Sequence, residues 1–524
     1  MQKQQGFVLL SVLIITTIIT ILAFSQISEN RLQERIAGNQ QKEINARLAS
    51  EQGIIKAYEY IKEQNALSVP NATIESNLKA NSFVPVGANY SLPAQYINLN
   101  GSTFTLVSMG SYQGATAYLK TEIEAIEITG KSLFTDAVAG CDGVYVGQGG
   151  GTVDSYNSSL GPYDPNAHND KGNVSTINSG ADIELSGSGS IYGNLTSNGS
   201  ISTGTSSGSS ISGAATAANN IQFKGITSTS NIHAGGNLDF KGLIATGQEI
   251  TVGGDLYGDN GKDISSSVIY GGENHSNLKT AIHSDQILPP EIDFGECDPL
   301  DIVTEMTAMK GQVPSGSTNS YSATMIGSNL QFNGAEVSSD GTPIAGVAPV
   351  TLDVFGEPTE VYIFDEFTPI GQDITITGDI TLLITGDILT KNSNFVFADD
   401  TSSLTILTDG SVNLDSLTDL FADETVNSEG EAPLTIYSSY ESSNDSDMAV
   451  TVGSNADMYA RIYAPNGNLD LGGGGDIMGA VRGKEVNVSA GTGIHYDEML
   501  SDMIDIPDEE PTAASFTSVH YFYP

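Results

Sequence analysis

The chain has no tryptophan, two cysteines and few bases: 20 Lys+Arg stand against 63 Asp+Glu in 524 residues, a formal net charge of −43. Five residues are arginine, three of them before residue 50. A nucleic-acid binder, or a body that lies on anionic lipid, needs a basic patch. Beyond the N-terminus this chain has little to build one from, which argues against nucleic acid as a partner. Disorder is disfavoured too: 58 Gly and 18 Pro make about 15%, below the ~25–30% of low-complexity chains. Enough Ile, Leu, Val, Phe and Tyr remain for a sizeable core. The length allows roughly three domains, or one elongated repeat fold. Neither Cys141 nor Cys297 has a CxxC partner or clustered His, so a zinc site lacks ligands. In an exported body the two pair as one disulfide, closing a loop of about 157 residues for a gain of about 5 kcal/mol at best.

What is present begins with Phe7–Phe24, 18 residues without a charge behind the short polar stretch MQKQQG. At 1.5 Å per residue this run spans about 27 Å, enough to cross a hydrocarbon core, with Lys3 on the cytoplasmic side. A secretory signal peptide or a plain signal anchor would share part of this pattern, but the apolar run exceeds the usual 7–15 residues and Ala23-Phe24-Ser25 is only a fair cleavage site. Residues 26–64 contain no proline. Ala37, Ile44, Leu48, Ile55 and Tyr58 fall on one helix face. The spacing therefore predicts one helix over 7–64, about 87 Å long, apolar first and amphipathic second.

These residues resemble a type IV pilin. A short leader ends in Gly6, an aromatic Phe7 follows, and an apolar helix starts there. The segment Glu34-Arg35-Ile36-Ala37-Gly38-Asn39 is similar to that of PilX-type minor pilins. The resemblance covers roughly residues 1–60. It implies that a prepilin peptidase cuts after Gly6 and that Phe7 is N-methylated. It also implies that the helix, through Ser11, Glu34, Arg35, Gly38 and Asn39, joins other pilins in assembly. Most pilins carry Glu where Ser11 stands; its absence points to a special position such as a filament tip.

The body has a different texture. Thr103–Val107 and Ala117–Ile128 alternate in polarity and read as strands of a small pilin-like sheet. From about residue 133, short runs centred on Ile are broken by Gly, Ser, Asn and Asp. Ile191, Ile211, Ile232 and Ile250 are 20, 21 and 18 residues apart. A period near 20 with several short strands per repeat indicates stacked coils, a parallel β-helix. The fold class expected is mainly β: a long N-terminal α-helix followed by a β-solenoid. The chain then divides into a leader (1–6), a transmembrane and assembly helix (7–64) and a small α+β region (65–135). β-helix segments follow at 136–284 and 351–500, separated by an insertion or edge cover (285–350). A C-terminal tail (501–524) is expected to lie on the solenoid end. Val153-Asp-Ser-Tyr-Asn157, Gly161-Pro-Tyr163 and Gly493-Ile-His-Tyr-Asp497 resemble landmarks of β-helical domains fused behind PilX-type N-termini.

No catalytic motif stands out. Asp379, Asp387 and Asp409 sit beside glycines and read as corner residues. His495-Tyr496-Asp497-Glu498 reads as a corner in which side chains satisfy backbone groups. Two oxygen-rich clusters are calcium candidates, Asp255, Asp259, Asn260 and Asp263, and Asn444, Asp445 and Asp447. The expectation is a non-enzymatic minor pilin. It sits in the inner membrane before assembly, is displayed on a pilus or cell surface, and acts in pilus assembly, priming or adhesion. Its partners would be other pilins, the assembly machinery and a surface glycan or protein. A type II secretion-type pseudopilin and a membrane-anchored β-helix carbohydrate-active enzyme are the alternatives.

Overall fold

In the computed structural model the described residues are 5–522, less 67–70, 81–83, 86–87, 101–102, 125–129, 148–150, 205–208, 246–248, 260–262, 265–266, 288–289, 293–294, 317–318, 322–328, 415–431, 454–456, 508–514 and the single positions 188, 226, 243, 279, 286, 291, 335, 345, 490 and 504. Two compact units result. One comprises Met1–Lys131 and Pro507–Pro524, the other Ser132–Ile506. The second is thus inserted into the chain of the first.

The first unit is built on α1 (Gln5–Ala66), 62 residues long. Among the described residues it is the one helix long and apolar enough to cross a membrane. Leu10, Leu13, Ile18, Leu22 and Phe24 are all exposed. The second half of α1 packs on an antiparallel sheet, and its buried face is not the one the apolar pattern suggested. Ile44, Leu48 and Ile55 are exposed, whereas Ala46, Ala49, Ser50, Ile54, Ala57 and Ile61 are buried. The reason is size. A Cβ on Gly110 would collide with the backbone of Ala46 and Ser50, and one on Gly53 with Ser108 Oγ. Backbone meets backbone there, and only small residues permit it. Ile54 and Ile61 then share a core with Ile74 and Leu78 of α2 (Asn71–Ala80) and with Phe104, Leu106, Leu119 and Ile123 of the sheet.

That sheet runs β1 (Tyr90–Ser91), β2 (Thr103–Tyr112), β3 (Ala115–Glu124), then the C-terminal strand Ser515–Phe522. The expected tail on the solenoid end is therefore corrected. Its last residues pair antiparallel with β3, from Tyr118↔Phe522 to Glu124↔Ser515. The run of Phe, Thr, Val, Tyr and Phe suits a strand.

The second unit has the fold read from the sequence, a parallel β-solenoid. Successive coils stack Ile201, Ile221, Leu238 and Leu256 in one column, 20, 17 and 18 residues apart. The four isoleucines that gave the period belong to two columns: Ile191 pairs with Ile211, while Ile232 lies between Ala215 and Ile250. Corners are tied by side chains. Asn220 Oδ1 accepts from Asn237 N (2.8 Å), Asn237 Oδ1 from Asp255 N (2.7 Å) and Asp255 Oδ1 from Glu273 N (2.8 Å). Each Asn or Asp thereby satisfies a turn donor of the next coil.

The coils do not stack in chain order. The chain enters at β4 (Val138–Val146) and β5 (Thr152–Tyr156) and winds away to Ile282–His283. It then returns through α3 (Ile302–Gln312) and restarts with the hairpin Val350–Val354/Glu357–Phe367. From there it winds back to β6 (Met458–Ala464), β7 (Ile477–Val488) and β8 (Ile494–Asp497). β7 pairs with β4, Val481↔Val138 to Val488↔Val146, and β8 with β5, Ile494↔Val153 to Asp497↔Tyr156. The second half of the sequence thus stacks directly onto the first coil, and a seam joins the halves in the middle of the stack. Entry and exit meet at that level: Ser132 Oγ donates to Leu500 O (2.7 Å) and Leu133 N to Asp505 Oδ2 (2.9 Å).

The return segment is fastened to the seam. Cys297 is disulfide-bonded to Cys141 of β4. Tyr463 OH donates to Asp298 Oδ1 (2.7 Å), and Arg482 donates to Leu133 O (3.0 Å) and Glu296 O (2.6 Å). Ile302, Met306 and Met309 of α3 are buried in the solenoid core, and Lys310 pairs with Asp409.

Candidate binding cleft at the solenoid seam

The stacking of β8 on β5 sets His495 beside Asp154. Neighbouring registers extend this outward-facing row. Tyr459 pairs with Met478, Ile477 with Ile494, and Ile191 with Val153, so the row reads Tyr459, Met478, His495, Asp154, Tyr192 across five strands. A loop over residues 157–171 leaves β5 and folds beside the row. Glu498 holds it, accepting from Ser155 Oγ (3.1 Å), Asn169 Nδ2 (2.9 Å) and Lys171 Nζ (2.7 Å). Asp497 Oδ1 accepts from Ser158 N (3.1 Å). Loop and row enclose a cleft of about 570 Å³ with Asp457, Asp476, Tyr163 and His168 on its walls.

His495 is almost wholly buried. Its Nδ1 lies 2.6 Å from Asp154 Oδ1 and its Nε2 3.3 Å from Asp476 Oδ2. Tyr163 OH donates to Asp154 Oδ2 (2.8 Å), and the Tyr163 ring stacks on the imidazole at 3.9 Å. A Cβ on Gly493 would stand 2.7 Å from both Asp476 Oδ1 and His495 Nε2, so glycine leaves room for the pair. Burial opposes a charge on the imidazole, but the hydrogen bond to Asp154 and the nearby Asp476 carboxylate outweigh it and push His495 up to about 9. The His495 imidazole beside it holds Asp476 below the usual carboxylate range. Burial, then the bond to Asp154, drives the Tyr163 phenol far up. At neutral pH the ring is an imidazolium between two carboxylates, with no lone pair left for general-base work.

The other carboxylates are partly committed. Asp457 Oδ1 accepts from Asp476 N (2.9 Å) and Asp476 Oδ1 from Gly493 N (2.8 Å), the same corner ladder as elsewhere. Asp497 Oδ2 is buried without a hydrogen-bond partner, and burial raises that carboxyl.

Of the corner read over residues 495–498, Tyr496 OH does satisfy a backbone group, Phe134 O (2.8 Å), but His495 is corrected: it faces two carboxylates instead. The other candidate residues from the sequence lie elsewhere. Gly6 and Phe7 fall in the first turns of α1, and Ser11 one turn on. Glu34, Arg35, Gly38 and Asn39 are exposed on the same helix. Of the first calcium cluster, Asp255 spends Oδ1 on the corner ladder and Oδ2 on Tyr257 OH (2.9 Å). Asp259 and Asp263 lie on strands, and Asn260 is outside the described residues. In the second cluster, Asp447 accepts from Tyr440 OH (2.6 Å), Ser443 N (2.8 Å) and Ser443 Oγ (2.7 Å), and Asn444 Oδ1 from Ser446 N (3.0 Å); Asp445 is exposed beside them. Among the described residues no three His, Cys, Asp or Glu side chains are grouped to hold a metal. Asp379 and Asp387 do corner work, accepting from Ser403 Oγ (2.8 Å) and Ser411 N (2.9 Å), while Asp409 anchors α3. The cleft is half legible in the sequence: residues 153–157, 161–163 and 493–497 stand out there, but nothing in the sequence joins the last of these to the first two.

A family model described as "Domain of unknown function (DUF7305)" matches residues 311–503. The match takes in the second half of the solenoid with Asp457, Asp476 and His495, and leaves out Asp154 and Tyr163. No curated protein matches the chain. Among solved structures, the competence-associated pilin ComZ from Thermus thermophilus is similar at 11% identity over 92% of this chain and 97% of that one. Its TM-score of 0.24 is too low for the likeness to carry an argument.

Proposed function

We propose that this chain is a pilus-associated minor pilin of the PilX type that displays its solenoid as a binding body, without turnover. The observation that carries the reading is the first unit. The polar stretch ending in Gly6 runs into an apolar helix, and the second half of that helix packs on a small antiparallel sheet. Its second half keeps a further apolar stripe, Ile44, Leu48 and Ile55, exposed on the side away from the sheet. Such a stripe suits packing among helices of other subunits. The protein would wait in the inner membrane as a single-pass precursor and then enter a filament, where it would prime assembly or adhere. Mass spectrometry of the N-terminal peptide from sheared filaments tests this. An N-methylated Phe7 terminus is expected; an intact Met1, or cleavage near Ser25 without filament association, overturns it.

A membrane-anchored carbohydrate-active enzyme is the second reading, favoured by Asp457 and Asp476 in one cleft. Against it, each spends one oxygen on a backbone amide. Release of soluble sugars from a polysaccharide panel, abolished in Asp476→Asn, would establish the enzyme.

A further inference from the structure

The seam cleft is concave, and its net charge is negative. Asp154 and Asp476 bracket a single imidazolium, Asp457 adds a third carboxylate, and among the described residues lining the cleft there is no lysine or arginine. That field repels uronates, sialates and phosphates and attracts a cation. The rest of the lining is aromatic. Tyr459 stands at one end of the row, and Tyr192 at the other with His168 tilted on it at 4.0 Å. Tyrosine faces attract ammonium groups through the ring quadrupole and cover the C–H faces of pyranose rings. The geometry is linear: five strands at the usual spacing of about 4.8 Å give a row of about 19 Å, and one coil step is close to the length of one hexose.

We infer that the seam cleft binds a linear amino-sugar oligomer bearing free ammonium groups, with Tyr459 and Tyr192 covering ring faces and Asp457 pairing with an ammonium. Asp457 is the most exposed carboxylate of the three, and the corner ladder uses its Oδ1. His495 and Asp154 position the floor rather than touch the sugar. The site needs both halves of the sequence, because Tyr459 lies on β6 with Asp457 just before it, and Tyr192 comes from beyond β5. This inference does not rest on filament membership and can fail or hold independently of it.

The test is isothermal titration of full-length protein in detergent micelles with a glucosamine tetramer, the N-acetylglucosamine tetramer, a galacturonate tetramer and ethanolamine. The glucosamine tetramer is expected to bind with a submillimolar Kd, at least tenfold tighter than the acetylated one, with affinity falling as salt rises. Galacturonate is expected to show no heat. Asp457→Asn keeps the oxygen that caps Asp476 N, so its thermal unfolding should match the parent while its affinity drops at least fivefold. Tyr192→Leu should cost a similar factor. Equal affinity for the acetylated tetramer, binding unchanged in both variants, ethanolamine matching the tetramer, or no heat at millimolar glucosamine tetramer would each overturn the assignment.

Discussion

His495 is a buried cation whose two ring nitrogens face Asp154 and Asp476 while Tyr163 covers its face. Its folded-state pKa is raised from 6.5 to about 9, a difference of about 3 kcal/mol. That contribution is fully present below the unfolded value near 6.5 and is lost as pH rises through about 9. Asp476 works in the opposite direction: its carboxyl is lowered, so its share is lost as pH falls below the ordinary carboxylate range. The seam should therefore hold best between these limits. Thermal unfolding of the parent and of His495→Gln measures it. The variant should be less stable by about 3 kcal/mol at pH 6–7, and the gap should close above pH 9. A constant gap across that range would mean that packing, not charge, accounts for the loss.

At the scale of elements, the contact between α1 and its sheet depends on absent side chains. Gly110→Val forces a branched side chain into the backbone of Ala46 and Ser50, and overpacking of this kind should cost about 3 kcal/mol. Gly114→Ala, in the open turn after β2 at φ +86°, meets nothing within 4 Å and should cost about 1 kcal/mol. Leu48→Ser lies on the exposed stripe and should leave stability within about 0.5 kcal/mol, while lowering recovery in sheared filaments if that face packs against other subunits. The apolar stripe was readable in the sequence because leucine and isoleucine mark it. The true packing face was not, because alanine, serine and glycine carry no hydrophobic signal of their own. The solenoid shows the same divide. Its period was readable from isoleucine spacing, yet the column each isoleucine joins depends on how each coil is cut by its corners. Asp154 and His495 could not be joined from the sequence, since nothing local says that the last coil stacks on the first.

For the whole molecule, the Cys141–Cys297 disulfide fixes the segment that crosses from the end of the first half to the start of the second. Cys141→Ser should cost up to about 5 kcal/mol by the chain-entropy estimate. Limited proteolysis should then cut first between residues 284 and 301, and reduction of the parent should give the same fragment. Because entry and exit are adjacent at Ser132 and Leu500, residues 132–506 should fold when expressed alone, with a far-ultraviolet β signature and the disulfide formed. Residues 1–131 alone lack the strand Ser515–Phe522 and should melt lower than the full chain.

The permuted stack also has a history in time. β4 leaves the ribosome with one edge uncovered, and its partner β7 is made more than 330 residues later, roughly 20–70 s at ordinary rates of synthesis. The small sheet on α1 waits longer still, for the last strand of the chain. A polypeptide cut short before β8 therefore has neither a closed seam nor a finished small sheet, and one cut between β8 and Ser515 has the seam but not the sheet. The two units are thus completed in order, the inserted solenoid first and the sheet that brackets it in the chain afterwards.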